Sequence, residues 1–365
     1  MKFGVNLLSQ HPVARKQADL YDEMIEQAEL AEEMGFDSVF VNEHHPFNDP
    51  SVLWLQPLPA IAAIAARTST ISVGTNVLIL PLYHPVKVAE DVAFINEGAR
   101  GRVILGVGIG YLEHEFAVFG VDMRSRASRV QEQIEIIRAL WNSDGVSFVG
   151  DHFVLDDVSL AVDSMEYSPA PIWIGAEVEK SVRRAARLGD AWLPADTASI
   201  AVLEAQYVDY RDELVTAGKS WSETDRPLMR ETFCAEDGDY AEQRLAPHVL
   251  EKYQQYWQMG APQLTAEFPN GKFEFSTLKK ERFIVGNPDD CIRQIQHHVS
   301  RLGTTQMIFR IQKPGITHGE TLDAIRLLGK NVISAFRERV SSAMKAPGQT
   351  HAAGTEGRAN DSNVQ

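Results

Sequence analysis

Short apolar segments alternate with longer amphipathic segments along most of this chain of 365 residues. A short apolar run is typical of a buried strand, whereas apolar positions that recur every three or four residues are typical of a helix. This pattern predicts eight strands, at residues 3–8, 37–41, 71–80, 103–107, 171–175, 191–194, 228–235 and 305–311. It predicts helices at residues 19–34, 58–66, 86–95, 124–141, 180–188, 200–217 and 321–339. Eight alternating units favour a parallel (β/α)8 TIM barrel over an open sheet.

Two insertions interrupt the alternation, at residues 143–170 and 260–276. The second reads GAPQLTAEFPNGKFEFS, and its mixture of Gly, Pro and Phe suits a mobile lid over the barrel; a surface hairpin is the alternative. From residue 343 onward large apolar residues are almost absent, which is typical of disorder. We therefore predict a single domain over residues 1–342 and a disordered tail over residues 343–365.

Composition narrows the possible partners. The chain has 50 acidic and 35 basic side chains, a net charge of −15, and no strong cluster of Lys and Arg, so nucleic acids and anionic membranes are disfavoured partners. Its two cysteines, Cys234 and Cys291, lack the spacing of a metal or redox motif, which predicts a reduced, cytoplasmic protein. No segment approaches the roughly 20 apolar residues of a membrane span.

Three titratable residues, Glu43, His44 and His45, follow the second predicted strand directly. In a barrel, active sites lie at this carboxyl end of the strands. Side chains alternate in extended backbone, so the three cannot all reach one metal ion, and we predict no metal site. All three are catalytic candidates: His44 is predicted to face the barrel mouth and transfer protons, with Glu43 or His45 as hydrogen-bonding support. The alternative is a loop in which these groups only bond the backbone.

Two further strand ends suit a phosphorylated ring cofactor. The run GVGIG includes Gly108 and Gly110 and permits close approach of a flat ring or of backbone, but it lacks the third glycine of a dinucleotide motif. In PIWIGAEVEKS a strand ends at Gly175 and a helix follows, so free N–H groups and the Ser181 hydroxyl can bind an anion. A plain barrel turn and a helix cap are the respective structural alternatives.

Taken together, these segments resemble the bacterial luciferase-like flavin monooxygenases, from residue 1 to about residue 193 and more weakly to the last strand. The resemblance is carried by MKFGVNLL, GFDSVFVNEHH, GTNVLILPLYHPVKVAEDV, GRVILGVGIGYLEHEFAVFGVDMRSR and PIWIGAEVEKSVRRAARLGDAW. Their order and spacing make this resemblance more specific than any single motif.

The resemblance implies that reduced FMN, delivered by a separate flavin reductase, binds in the barrel mouth and uses O2 to oxygenate a small apolar substrate. His44 matches the family's active-site histidine, and Asn76 and Val77 match a cis peptide that supports the flavin ring. The implied cofactor-binding residues are Asn76, Val77, Gly108, Gly110, Gly175, Ala176, Glu177, Val178 and Ser181. A homodimer is implied as well, for which helices 58–66 and 86–95 are our candidate interface.

Two positions depart from the luciferases themselves. Ile109 replaces an arginine that holds the flavin phosphate, and Val178 replaces a serine. The phosphate must then be held by backbone groups, by Ser181 or by a cation not evident from the sequence. These departures keep two alternatives open: an enzyme that transfers hydride with 8-hydroxy-5-deazaflavin, and a flavin-binding relative without catalysis.

Overall fold

The computed structural model describes residues 1–7, 10–12, 15–45, 52–160 and 166–338. The predicted tail at residues 343–365 and the end of the segment VNEHHPFND lie outside the described residues. No helix within the described ranges is long and apolar enough to cross a lipid bilayer.

All eight predicted strands are present and form a parallel barrel in the described chain. They are β1 Lys2–Leu7, β2 Ser38–Val41, β3 Ser72–Thr75, β4 Val103–Gly108, β5 Ile172–Ala176, β6 Ala191–Pro194, β7 Pro227–Cys234 and β8 Gln306–Arg310. From β1 to β6 each strand pairs with the next one, while β8 lies between β7 and β1. A parallel bridge between Ala191 and Asp225 joins β6 to the segment before β7 and closes the barrel. The TIM-barrel prediction is thus confirmed.

The predicted helices surround this barrel, with ends shifted by a few residues. They are α1 Gln17–Glu33, α2 Pro57–Arg67, α3 Pro85–Gly98, α5 Arg126–Asn142, α6 Glu179–Leu188, α7 Ile200–Thr216 and α12 His318–Leu327. The last one continues as a π-helical turn over Leu328–Ile333. A short additional helix, α4 Glu113–Phe119, follows β4 and was not predicted.

The two insertions are ordered within the described residues. The first contains an antiparallel hairpin of Val146–Val149 and Val154–Val158. The second lies within a helical region, formed by α8 Gly238–Gln258, α9 Pro262–Glu267, α10 Phe275–Arg282 and α11 Pro288–Leu302, with a short strand, Phe283–Gly286, beside β7.

Residues 260–276 form helical turns instead of the alternative hairpin. The Phe268 ring lies 5.0 Å from the Phe273 ring, measured between centroids, and the Phe268 carbonyl accepts a hydrogen bond of 2.9 Å from Trp257 Nε1. Gln263 Nε2 also donates to the carbonyl of Glu177 after β5, at 2.7 Å. The segment therefore contacts the loops at the barrel mouth, and its opening as a lid stays a prediction.

The barrel interior has its own apolar cluster, of which Phe40, Trp173, Leu193 and Ile308 are members. Because side chains alternate along a strand, outward residues of the same strands pack against the helices, as Val39 does. This cluster fills the lower part of the barrel. Toward the carboxyl ends of β1, β7 and β8 the inward positions are polar, whereas β4 and β5 carry glycines there.

The predicted dimer interface lies on α2 and α3. Phe94 on α3 is 80% exposed, although most of its apolar neighbours on that helix are buried. A phenylalanine that is exposed in the single chain is compatible with a surface that a second subunit covers, and the homodimer stays a prediction.

At the opposite, amino-terminal end of the barrel, Glu32 ties α1 to the loop before β3. Its Oε1 accepts hydrogen bonds from the backbone N–H groups of Ser69, Thr70 and Ile71, at 2.8, 2.6 and 3.0 Å. Burial favours the neutral acid, but these donors outweigh it and lower the pKa of Glu32 to about 2. The carboxylate therefore stabilises the folded chain.

We expect Glu32→Ala to lower the free energy of unfolding at pH 7 by about 1.5–3 kcal/mol, since three backbone donors lose a charged acceptor. Because the pKa of Glu32 is lower in the folded chain, its contribution is complete above the ordinary carboxyl pKa and is lost as pH falls toward 2. Denaturant unfolding at pH 7 and pH 3 measures both effects. Glu33→Ala, at an exposed neighbour, is the matched control, and equal losses in the two variants would refute this role for Glu32.

Candidate functional site

His44 lies just beyond the carboxyl end of β2, between a carboxylate and two aromatic rings. Its Nδ1 is 3.2 Å from Glu115 Oε1, and its Nε2 is 3.4 Å from Tyr111 Oη. The Trp54 ring packs edge-on against the imidazole, with 4.7 Å between centroids. The Glu115 side chain has no exposed surface, whereas the His44 side chain keeps 18% exposed. A buried carboxylate thus orients an accessible imidazole, an arrangement suited to proton transfer.

Glu115, the carboxylate that contacts His44, was not predicted as a site residue from the sequence. It lies on α4 and accepts a second hydrogen bond on Oε1 from the His45 backbone N–H, at 2.8 Å. Its Oε2 is buried and has no hydrogen-bond partner in the described structure. The sequence did contain one signal for Glu115. It lies beside Phe116 on the buried face of a helix, and a carboxylate is rarely buried unless it has a specific partner.

Glu43 and His45 form a buried pair away from the open mouth. His45 Nε2 lies 2.8 Å from Glu43 Oε1, and both side chains are at least 90% buried. The Glu43 carboxylate also accepts hydrogen bonds from the Tyr83 hydroxyl and the Ile79 backbone N–H. These contacts tie the loop after β2 to the loop after β3. The structure therefore favours a supporting role for Glu43 and His45 over direct catalysis, and leaves His44 as the exposed histidine of the motif.

The peptide between Asn76 and Val77, after β3, is cis, as the resemblance implied. The Val77 side chain packs over two glycines: a Cβ on Gly108 would lie 2.6 Å from Val77 Cγ2, and a Cβ on Gly175 would lie 3.3 Å from Val77 Cγ1. Any side chain at Gly108 would therefore displace Val77. Val77 therefore fills the space beside Gly108 and Gly175, and binding of a flavin ring by these residues stays a prediction.

Gly110 has a different role. Its φ of +70° is disfavoured for other residues, and a Cβ there would lie 2.8 Å from Ile79 Cγ2 and 2.9 Å from the Phe116 ring. Gly110 thus serves the turn before α4, and its part in cofactor binding stays a prediction.

The segment after β5 leads into the amino terminus of α6. Ser181 Oγ donates to the Val178 carbonyl at 2.7 Å and lies 3.3 and 3.1 Å from the N–H groups of Glu177 and Val178. The Ala176 carbonyl accepts a hydrogen bond of 3.0 Å from Trp192 Nε1. The helix-cap alternative therefore describes the geometry of Ser181. A bound phosphate would compete with the Ser181 oxygen for these N–H groups.

Two arginines near this helix were not evident from the sequence. Arg184 lies one helical turn after Ser181, and burial together with the neighbouring Arg187 and Arg126 lowers the pKa of Arg184. The Nε atoms of Arg126 and Arg184 are buried and have no hydrogen-bond partner among the described residues. Two mutually repelling guanidinium groups with unused donors suit a dianionic phosphate. They are candidates for the cation that Ile109 does not provide.

No group of three or more His, Cys, Asp and Glu side chains in the described ranges is arranged to hold a metal ion.

The structure is an eight-stranded parallel barrel with a histidine and a buried carboxylate at its mouth. A family model described as luciferase-like monooxygenase matches residues 1–306, so the chain belongs to the luciferase-like monooxygenase family.

The proteins to which this chain is similar include both dehydrogenases and monooxygenases. The chain is 28% identical over 342 residues to the F420-dependent glucose-6-phosphate dehydrogenase of Amycolatopsis mediterranei, covering 89% of this chain and 95% of that one. Its fold matches monooxygenase RslO1 from Streptomyces bottropensis with a TM-score of 0.77, at 24% identity and with 92% and 100% of the two chains covered. It also matches the oxygenating constituent of 3,6-diketocamphane monooxygenase from Pseudomonas putida in complex with FMN, with a TM-score of 0.76, 18% identity and 91% and 97% coverage.

Proposed function

We propose that this protein is an FMN-dependent monooxygenase, which takes reduced FMN from a separate reductase and uses O2 to oxygenate a small organic substrate. The observation that carries the proposal is the His44 and Glu115 pair at the mouth of the barrel. The structural likeness to two monooxygenases, one of them in complex with FMN, supports it.

The residues at the mouth fit such a cofactor. Arg126, Arg184 and the amino terminus of α6 would hold the phosphate, and the surface formed by Val77 and Gly108 would support the ring. When bound, reduced FMN supplies the electrons with which oxygen is activated.

His44 is the group that moves a proton in this proposal. Glu115 fixes the orientation of its imidazole through Nδ1, which leaves Nε2 toward Tyr111 and the mouth. Trp54 and Tyr111 shield the imidazole with their rings, and exclusion of water strengthens the interactions of its charged form. The buried Glu43 and His45 pair holds the loop that carries His44.

A second candidate is hydride transfer with the deazaflavin coenzyme F420. It is favoured by the 28% identity to an F420-dependent dehydrogenase. A relative without catalysis is disfavoured by Glu115, since a buried carboxylate that only orients an exposed imidazole costs stability.

Rapid mixing with oxygen tests the proposal. The full-length protein, loaded anaerobically with one equivalent of reduced FMN, is mixed with oxygenated buffer while absorbance is recorded. We expect a transient absorbance band that outlasts the reaction of free reduced FMN, because the protein shields the flavin.

Arg184→Gln should weaken FMN binding and shorten the lifetime of this band, whereas Arg187→Gln on the same helix is the matched control. Identical traces for free and protein-loaded FMN would contradict the proposal.

A further inference from the structure

Five ionised side chains meet at the carboxyl ends of β6, β7 and β8, and we call them the mouth cluster. They are Asp196, Glu231, Lys252, Arg310 and Lys313. Lys252 Nζ lies 2.5 Å from both Asp196 Oδ2 and Glu231 Oε1. Arg310 Nη1 lies 3.2 Å from Asp196 Oδ2, and Lys313 forms an ion pair with Glu231.

The mouth cluster contains one more cation than carboxylates, and it is largely buried. The next carboxylate, Glu177, does not cancel this surplus, because burial and the charge of Asp196 raise its pKa and favour its neutral form, although Lys252 acts in the opposite direction. The Lys313 side chain is 5% exposed and that of Arg310 10%, while those of Asp196 and Lys252 are each 12% exposed. An uncompensated buried charge is costly, so this surplus favours a bound anion. Burial also lowers the pKa of Lys313 to about 8, and a neighbouring anion would favour its charged form.

Unused hydrogen-bonding groups lie beside the cluster. Arg310 Nε and both side-chain amide atoms of Asn6 are buried without a partner in the structure as described. Val5 pairs with Phe309 in the parallel register of β1 and β8, so Asn6 and Arg310, the next residues, are neighbours. Since Val5 and Phe309 pack outward against the helices, alternation turns Asn6 and Arg310 inward. Buried polar groups are normally satisfied, and an oxyanion would accept hydrogen bonds from Arg310 Nε and Asn6 Nδ2.

The cluster belongs to the same mouth as His44. Lys252 Nζ lies 5.3 Å from the centroid of the Tyr256 ring, and Tyr256 Oη is 3.5 Å from Tyr111 Oη. Tyr111 Oη in turn lies 3.4 Å from His44 Nε2. The flavin-supporting residues lie at β3 to β5, whereas the cluster lies at β6 to β8. A substrate in the mouth therefore contacts the cluster on one side and the flavin and His44 on the other.

Resting on the proposed function, we propose that the substrate is an organic acid, whose oxyanion is bound by Lys252, Arg310, Lys313 and Asn6 while its apolar body extends toward His44. This modifies the expectation of a purely apolar substrate. A carboxylate and a phosphate ester share the chemistry that these donors recognise.

Calorimetric titration of the full-length protein with eight-carbon probes tests the inference. Octanoate, octyl phosphate and octanamide share an apolar chain and differ in the charge of the head group. We expect the preferred anion to bind at least about ten-fold more tightly than the neutral amide, because only an anion offsets the cationic surplus. Comparison of octanoate with octyl phosphate identifies the preferred head group. Equal affinities for octanoate, octyl phosphate and octanamide would overturn the proposal.

Two substitutions change the cluster charge in opposite directions. Arg310→Gln removes the surplus cation and should weaken binding of the preferred anion about ten-fold, whereas Asp196→Asn adds to the surplus and should tighten it. Octanamide affinity should change little in either variant, and thermal unfolding checks that both are folded. An anion preference that is the same in wild type and in both folded variants would overturn the assignment.

Titrations repeated with saturating reduced FMN separate this inference from the proposed function. Anion binding that persists with FMN present supports the mouth cluster, whereas anion binding abolished by FMN would place the anion in the cofactor phosphate site and overturn the inference. A wild-type protein that binds octanoate or octyl phosphate but not reduced FMN would refute the proposed function and leave the cluster assignment supported.

Discussion

Replacing His44 with alanine is expected to lower the rate of product formation by about 10²–10⁴-fold, because the variant lacks the imidazole that transfers the proton. The His44 side chain is partly exposed and carries no part of the apolar core, so stability and affinity for reduced FMN should change little. Single-turnover product formation from enzyme-bound reduced FMN, oxygen and an accepted substrate measures the effect.

His114→Ala is the matched control, since His114 is an exposed histidine on α4, next to Glu115. It should retain wild-type rates. Glu115→Gln keeps the shape of the side chain and an acceptor for the His45 N–H but loses its charge, and we expect an intermediate loss. Wild-type product formation by His44→Ala would remove His44 from the mechanism.

Glu231→Gln should lower the free energy of unfolding by about 3–5 kcal/mol, because it leaves Lys252 and Lys313 as buried cations without their shared carboxylate. The Glu231 side chain has no exposed surface, so water cannot replace the lost charge. Denaturant unfolding at pH 7 measures the loss. Glu204→Gln is the matched control: it breaks an exposed ion pair with Arg301 and should cost no more than about 1 kcal/mol.

The effect of Glu231→Gln should depend on pH. Burial alone would raise the pKa of Glu231, but Lys252, Lys313 and Arg310 hold it well below the ordinary value. Its stabilisation is therefore complete above the pKa of an unfolded glutamate, near 4.3, and is lost as pH falls below that value. The difference between wild type and variant should narrow in acid. A difference that is the same at pH 7 and pH 3 would contradict the ionised state of Glu231.

The barrel could be predicted because each strand is a short apolar run bounded by polar or turn residues. Periodicity was less informative between residues 235 and 305, where four helices were not predicted. The longest of them, α8, contains Pro247, which is a helix-breaking signal in sequence, yet the helix continues through it because tertiary packing buries Leu245 and Val249.

Only those parts of the candidate site whose residues lie close together along the chain could be predicted. Glu43, His44 and His45 were predicted from their place after the second strand, and the cis peptide from the resemblance. Glu115, by contrast, lies 71 residues from His44 and contacts it only in the folded barrel. The mouth cluster is more dispersed still, since its contacts join Asp196 to Arg310 across 114 residues. Pairings of this kind depend on barrel closure, which the pattern of one strand does not reveal.

The most direct measurement of the central claim is an anaerobic titration of the full-length protein with reduced FMN and, separately, with reduced 8-hydroxy-5-deazaflavin coenzyme. We predict saturable binding of one reduced FMN per chain, with affinity at least about ten-fold higher than for the deazaflavin, because the dianionic phosphate of FMN fits the unused donors of Arg126 and Arg184. Selective binding of the deazaflavin would contradict the monooxygenase assignment and place the protein with the hydride-transferring relatives.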